Sequence, residues 1–170
     1  MNKPIDQSVK PSIFTREFAA PRQLVFDAWT QPEHLRNWMF PMPGVTCEYM
    51  ASNIVTGGSS LHKMSFPNGH EMWLLTKYES VESPEKIVFR QYNSNAEGDI
   101  LPNMQMPDWP KEMRATVLFE EVNGNTRLEL IWEPVDASQA ERDTFEASRS
   151  QHGNGWEGGF DQLISYLKTL

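Results

Sequence analysis

The chain of 170 residues has a single cysteine, Cys47, which excludes an internal disulfide and leaves its stability to packing. No stretch approaches the run of about 18 apolar residues that a membrane span requires, so none is expected. Basic residues are in the minority. Against 23 Asp and Glu stand 15 Lys and Arg, for a formal net charge of −8. Nucleic acid and anionic membrane surfaces demand clustered Lys and Arg, so neither is expected as a partner. The opening stretch MNKPIDQSVKPSIFTREF lacks the apolar run of a secretory signal, which reads as a cytoplasmic protein.

Catalytic signatures are equally scarce. The four histidines have no ligand-like spacing, and with one cysteine no metal is expected. There is no Gly-x-Ser-x-Gly elbow for a serine nucleophile. The glycines at 153–159 lie within a helical pattern and lack the Lys-Ser/Thr of a phosphate loop, so no cofactor is expected. Cys47 sits in a strand-like stretch, Val45 to Met50, with no histidine or glycine elbow beside it, and reads as a structural thiol.

What is present is core-forming material: 39% hydrophobic residues, six Trp and nine Phe, enough for one domain of ordinary size. Residues 1–11 are polar with two prolines and read as a flexible tail, which leaves 12–170 as a single domain. Ser12 to Ala19 has strand character. Pro21 opens a helix carrying Val25, Phe26 and Trp29. Pro32 starts a second short helix with Leu35 and Trp38, stopped by Pro41 and Pro43. Strand-like runs follow at 45–54, 59–66, 71–81, 86–92, 114–122 and 126–133, separated by Gly57-Gly58, Pro67-Asn68-Gly69, Ser83-Pro84 and the hairpin signal Asn123-Gly124. In the last pair Leu128, Leu130 and Trp132 point one way and Arg127, Glu129 and Glu133 the other, and Ala115, Val117 and Phe119 match the first set on the neighbouring strand, so the sheet has one apolar face. The proline-rich segment 93–110, with Ile100, Leu101 and Trp109 as apolar anchors, reads either as a lid or binding loop or as a disordered excursion.

The final helix carries the most information. Ser138-x-x-Glu141 fits a capping box, with Asp136-x-x-Gln139 as an alternative, and the helix is expected to run unbroken to Lys168. Phe145, Ser148, His152, Trp156, Gly159, Phe160, Leu163 and Leu167 recur at steps of three and four and share one face. Gly153, Gly155, Gly158 and Gly159 interrupt it, each costing about 1 kcal/mol of helix propensity relative to Ala. The pattern fits a helix that lies close to the strands at one end and leaves a hollow beneath it elsewhere. The order of elements gives an α+β architecture, a curved and mostly antiparallel sheet of about six or seven strands around a long C-terminal helix.

This order resembles the START-like, Bet v 1-like superfamily with its helix-grip fold. Within it the chain is similar to the branch related to the C-terminal domain of the activator of Hsp90 ATPase. The residues that carry the resemblance are Arg16 to Pro21, Val25 to Thr30, Pro32 to Leu35 with Trp38, Gly57-Gly58, Pro67 to Gly69, Pro84 to Val88, Thr126 to Leu130, and Gly155-Trp156 with Leu163, Tyr166 and Leu167. Two positions depart from the family pattern: Trp38-Met-Phe-Pro41 replaces Trp-Trp-Gly-Pro, and Asn53 replaces an Asp before the glycine pair. The resemblance implies an elongated apolar cavity between helix and sheet. Its lining is expected from Trp38, Phe40, His62, Met64, Phe89, Val117, Leu130, Trp132, His152, Trp156 and Phe160; the helix glycines favour a cavity over the alternative, a dry core. His62 and His152 are its polar features, while His34 and His70 are expected on the surface.

Three functions follow as expectations. The first is a binding protein for a small apolar molecule, without catalytic residues. The second is an enzyme of cyclase, aromatase or hydrolase type, with the two cavity histidines as acid and base. The third is a module that contacts an Hsp90-type chaperone. It ranks last because the activator uses a separate N-terminal domain for which these 170 residues leave no room.

Overall fold

A computed structural model describes residues 9–170. Strand β1 (Ser12–Phe18) is followed by helices α1 (Arg22–Thr30) and α2 (Pro32–Leu35), then by β2 (Thr46–Ser52), β3 (Ser59–Ser65), β4 (Glu71–Glu82), β5 (Lys86–Ser94), β6 (Met113–Val122) and β7 (Asn125–Pro134). The strands form one antiparallel sheet in the order β1-β7-β6-β5-β4-β3-β2. Register shifts between Tyr49 and Ala51 and between Tyr78 and Ser80 add local bend, as bulges do. The Asn123-Gly124 turn takes positive φ at both residues, 53° and 82°, which matches the twist of the flanking strands. The pairing sets Ala115 opposite Trp132, Val117 opposite Leu130 and Phe119 opposite Leu128, all buried. This is the expected α+β helix-grip architecture. No helix among the described residues is long and apolar enough to cross a membrane.

The C-terminal helical segment differs from the unbroken helix expected. It consists of α3 (Gln139–Ala147) and α4 (Arg149–Leu167), which meet at Ser148 with φ −97° and ψ 10°. The Ser138–Glu141 capping box starts α3 as anticipated. At the break the Ser148 hydroxyl donates to the Phe145 carbonyl (3.1 Å), a local bond that competes with regular helix geometry and bends it. No glycine or proline marks the site.

Two sets of contacts place the helices. On the β6–β7 side α1 covers the sheet, with Phe26 edge-on to Phe119 (5.2 Å between ring centroids) and Trp29 edge-on to Trp38 (4.8 Å). Trp38 donates its indole N–H to the Ala28 carbonyl (2.8 Å), and Thr126 donates its hydroxyl to the Ala20 carbonyl (2.8 Å), which ties the short helices to each other and to the sheet. The C-terminal half of α4 buries Phe160 and Leu163 completely, with Phe160 edge-on to Phe18 of β1. Arg16 of β1 bridges to Glu157 (2.5 Å) and Asp161 (3.0 Å) on the same helix.

The helix glycines act differently from the expected approach to the strands. A Cβ on Gly158 would stand 1.9 Å from the Pro41 carbonyl oxygen, so the close approach is to the α2–β2 connection. A Cβ on Gly153 would lie 3.6 Å from the Phe14 ring of β1, and one on Gly155 would meet nothing within 4 Å. His34 is half-buried, with Nδ1 2.6 Å from the Tyr166 hydroxyl, and His70 is half-buried beside Phe66, so neither lies on the open surface as expected. Of the expected tail, residues 1–8 lie outside the described residues. Val9 packs against the core and the Lys10 carbonyl accepts from Arg149 (2.5 Å), so the ordered chain begins before Ser12.

The two central glycines should respond with opposite signs. Gly158→Ala should destabilise by about 1–3 kcal/mol, because Pro41 cannot withdraw without moving its connection. Gly155→Ala should stabilise by about 1 kcal/mol through helix propensity alone. Urea unfolding of both variants checks the pair, and a loss at Gly155 equal to that at Gly158 would contradict it.

Candidate functional site

A cavity of about 530 Å³ lies between the N-terminal half of α4, the inner face of β3–β5 and β7, and the 38–42 connection. Trp38, Phe40, His62, Met64, Trp132, His152 and Trp156 meet around it. The other four expected residues do not. Phe89 borders a deeper void of about 10 Å³, and Val117, Leu130 and Phe160 are fully buried in the core. The reason is α1: its Phe26 and Trp29 occupy the floor over β6 and β7, so the hollow shifts toward β3 and β4.

Several residues of this wall were not anticipated. Met72 and Leu74 pair with Met64 and His62 across the β3–β4 hairpin and therefore share their face. That signal was available once the Pro67-Asn68-Gly69 turn was recognised. Gln91 continues the inward alternation of Ile87 and Phe89 and donates weakly to Thr76 (3.4 Å). Trp109, from the 93–110 segment, reaches the cavity and lies 6.1 Å from Phe145 and 6.0 Å from His152. That segment is ordered by its own turns: the Asn95 side-chain carbonyl accepts from the Glu97 and Asp99 amides, and that of Asn103 accepts from the Gln105 and Met106 amides. Ile100 and Leu101, expected as anchors, remain exposed. Asn103, Met106 and Trp109 wall a second, contiguous recess of about 240 Å³, which shares His152, Trp132 and Met72 with the first.

The electrostatics of the cavity are simple, for no Asp, Glu, Lys or Arg lines it. His62 is 2% exposed, stacks on Tyr49 (4.8 Å, 22° between planes), and neither ring nitrogen has a protein hydrogen-bond partner among the described residues. Burial pushes its pKa down to about 4. His152 is bonded at both nitrogens. Ser148 gives its hydroxyl proton to the Phe145 carbonyl, so it accepts from His152 Nδ1–H (3.3 Å). His152 Nε2 then accepts from the Ser12 hydroxyl (2.8 Å), and the Ser12 oxygen in turn accepts from Arg149 (2.9 Å). Burial, then the Arg149 charge, lowers the pKa of His152 to about 4, with Glu146 opposing. Both imidazoles are therefore neutral at pH 7, and His152 has no nitrogen left for a guest. Cys47 is buried, and burial raises its thiol to about 12, which removes its nucleophilicity.

These shifts set a pH dependence. In the unfolded chain each histidine protonates near its ordinary 6.5, whereas in the folded protein each does so near 4. The unfolded state thus binds more protons between these values, and stability should fall as the pH drops from 6.5 to 4. His62→Leu should flatten part of this slope and raise stability at neutral pH, because it removes an unpaired buried polar group. Urea midpoints measured across this range check both, and an unchanged slope in the variant would contradict the burial of His62.

The fold is shared with solved structures of low sequence identity. A protein from Staphylococcus epidermidis aligns with a TM-score of 0.74 at 24% identity over 98% of this chain and 94% of its own. One from Arthrobacter aurescens aligns at 0.77 with 19% identity over 93% and 86%. The AHSA1 protein from Silicibacter pomeroyi aligns at 0.71 with 16% identity over 94% and 98%. No curated protein matches the chain. Residues 19–168 match the family model described as activator of Hsp90 ATPase homolog 1-like protein, and with nearly the whole chain covered, the protein belongs to that family.

Proposed function

We propose that this protein binds a small apolar molecule in the cavity between α4 and the sheet. One observation carries the reading: a space of about 530 Å³ lined by tryptophan, phenylalanine and methionine, free of charged side chains, with a single buried imidazole unpaired at its wall. Its volume lies in the range of small-molecule sites, and an apolar lining with few polar groups is their usual character. Met39, Met42, Met64 and Met72 supply polarizable, adaptable walls that accommodate more than one guest shape.

The reading as a cyclase, aromatase or hydrolase ranks below this. Acid–base work needs two groups able to exchange protons with the guest. His152 is committed to Ser12 and Ser148, which leaves His62 alone. Contact with an Hsp90-type chaperone rests on the family description alone. The proposed protein acts as a single domain in the cytoplasm, a compartment in which an unpaired thiol such as Cys47 stays reduced.

Titration with the neutral dye N-phenyl-1-naphthylamine tests the reading. A saturable rise in dye emission is expected, with energy transfer from tryptophan. Gly155→Phe places a ring where a Cβ has no neighbour within 4 Å, and should weaken binding by about tenfold or more. Absence of saturable uptake, or equal uptake by a folded Gly155→Phe variant, would overturn the proposal.

A further inference from the structure

We infer that the cavity selects an uncharged guest bearing a hydroxyl group, an alcohol or a phenol, and that His62 is the residue that reads it. This deepens the binding function proposed above and rests on it.

Charge is the first criterion. A carboxylate, phosphate or ammonium group brought into this space would lose its hydration and find no counter-charge, since no Asp, Glu, Lys or Arg lines the cavity. The two cations on the adjoining helical segment and on β1 are already committed. Arg149 is held by Glu146, Ser12 and the Lys10 carbonyl, and Arg16 by Glu157 and Asp161. The two histidines cannot substitute for them, because burial keeps both neutral at pH 7.

Hydrogen bonding is the second. A neutral imidazole presents one donor and one acceptor. At His152 both are consumed within the protein, whereas at His62 both lack a protein partner but are sealed from the cavity, so the ring or its neighbours must shift slightly for a guest to reach one. A hydroxyl both donates and accepts, so it completes whichever nitrogen of His62 that shift brings to it. A carboxylate has no proton to give, and a hydrocarbon leaves the ring unpaired. The indole N–H of Trp132, buried and likewise without a protein partner, is a second donor in the same wall that a hydroxyl oxygen could accept from.

Three guests of similar shape test the assignment: 2-naphthol, 2-methylnaphthalene and 2-naphthoate, each displacing N-phenyl-1-naphthylamine from the full chain at neutral pH. The expected order is naphthol first, roughly tenfold tighter than methylnaphthalene despite being less apolar, with naphthoate weakest. In His62→Leu, naphthol and methylnaphthalene should bind alike. In nitrogen-15 spectra of the wild type, naphthol should shift the His62 ring resonances and leave those of His152 in place, a readout that does not depend on the variant folding. If methylnaphthalene equals naphthol in the wild type, or naphthoate binds tightest, or His152 responds in place of His62, the assignment is overturned while the binding function stands. If none of the three displaces bound dye, the assignment is overturned while the binding function stands; if the dye itself does not bind, both are overturned.

Discussion

The carbonyl oxygen of Pro41 occupies the place that a side chain at position 158 would need, 1.9 Å from where its Cβ would lie. This backbone-to-helix approach fixes the distance between α4 and the 38–42 connection, and much of the architecture depends on it. Beyond Gly158 the helix descends onto the sheet, where Phe160 and Leu163 are lost completely from solvent. Before Gly158 it is held away, and Trp156, Gly155 and His152 face open space. Helix propensity is sacrificed at several glycines here. At Gly158 contact geometry demands it, and at Gly155 only the hollow benefits.

The other end of the helix is set by polar contacts. Ser148 interrupts the helix between α3 and α4, and the same serine orients His152 toward Ser12 at the start of β1. Arg149 completes this knot by reaching the Ser12 hydroxyl and the Lys10 carbonyl. A histidine that faces a cavity is therefore tied into the frame, and the frame's arginine is kept from contributing charge to the cavity. Of the two imidazoles at the cavity, only His62, stacked on Tyr49, keeps its ring nitrogens without a protein partner. Structure and the proposed selectivity share one cause here, since the bonds that hold Arg149 and His152 in the frame also keep charge out of the cavity.

Much of this was legible from residues alone, and the parts that were not have physical reasons. Strands announce themselves by alternation and by turns such as Asn123-Gly124 whose backbone only certain residues adopt. The inward direction of His62 followed from its sharing a face with Met64, which the family resemblance turns inward. The break at Ser148 was invisible because a serine–carbonyl bond, with no glycine or proline, produces it. The apolar stripe of the last helix was read correctly as one face, but its division into core (Phe160, Leu163) and cavity wall (Trp156, His152) depends on how far the facing sheet lies away. That distance is set by α1, which packs its Phe26 and Trp29 on Phe119 of β6, and by Pro41. Trp109 entered from a loop with no periodicity to reveal where it points.

The central claim is that the hollow beneath α4 admits a guest. Nine methionines make it directly measurable, because they sample the cavity and its surroundings separately. In carbon-13 methyl spectra of methionine-labelled protein, a neutral aromatic probe should shift Met39, Met64 and Met72, which line the cavity and are partly buried. It should leave Met50 and Met104, both exposed, and Met113, buried in the core, where they were. Shifts confined to the exposed methyls, or no shifts at probe saturation, would contradict the account and mark the space beneath α4 as closed to guests.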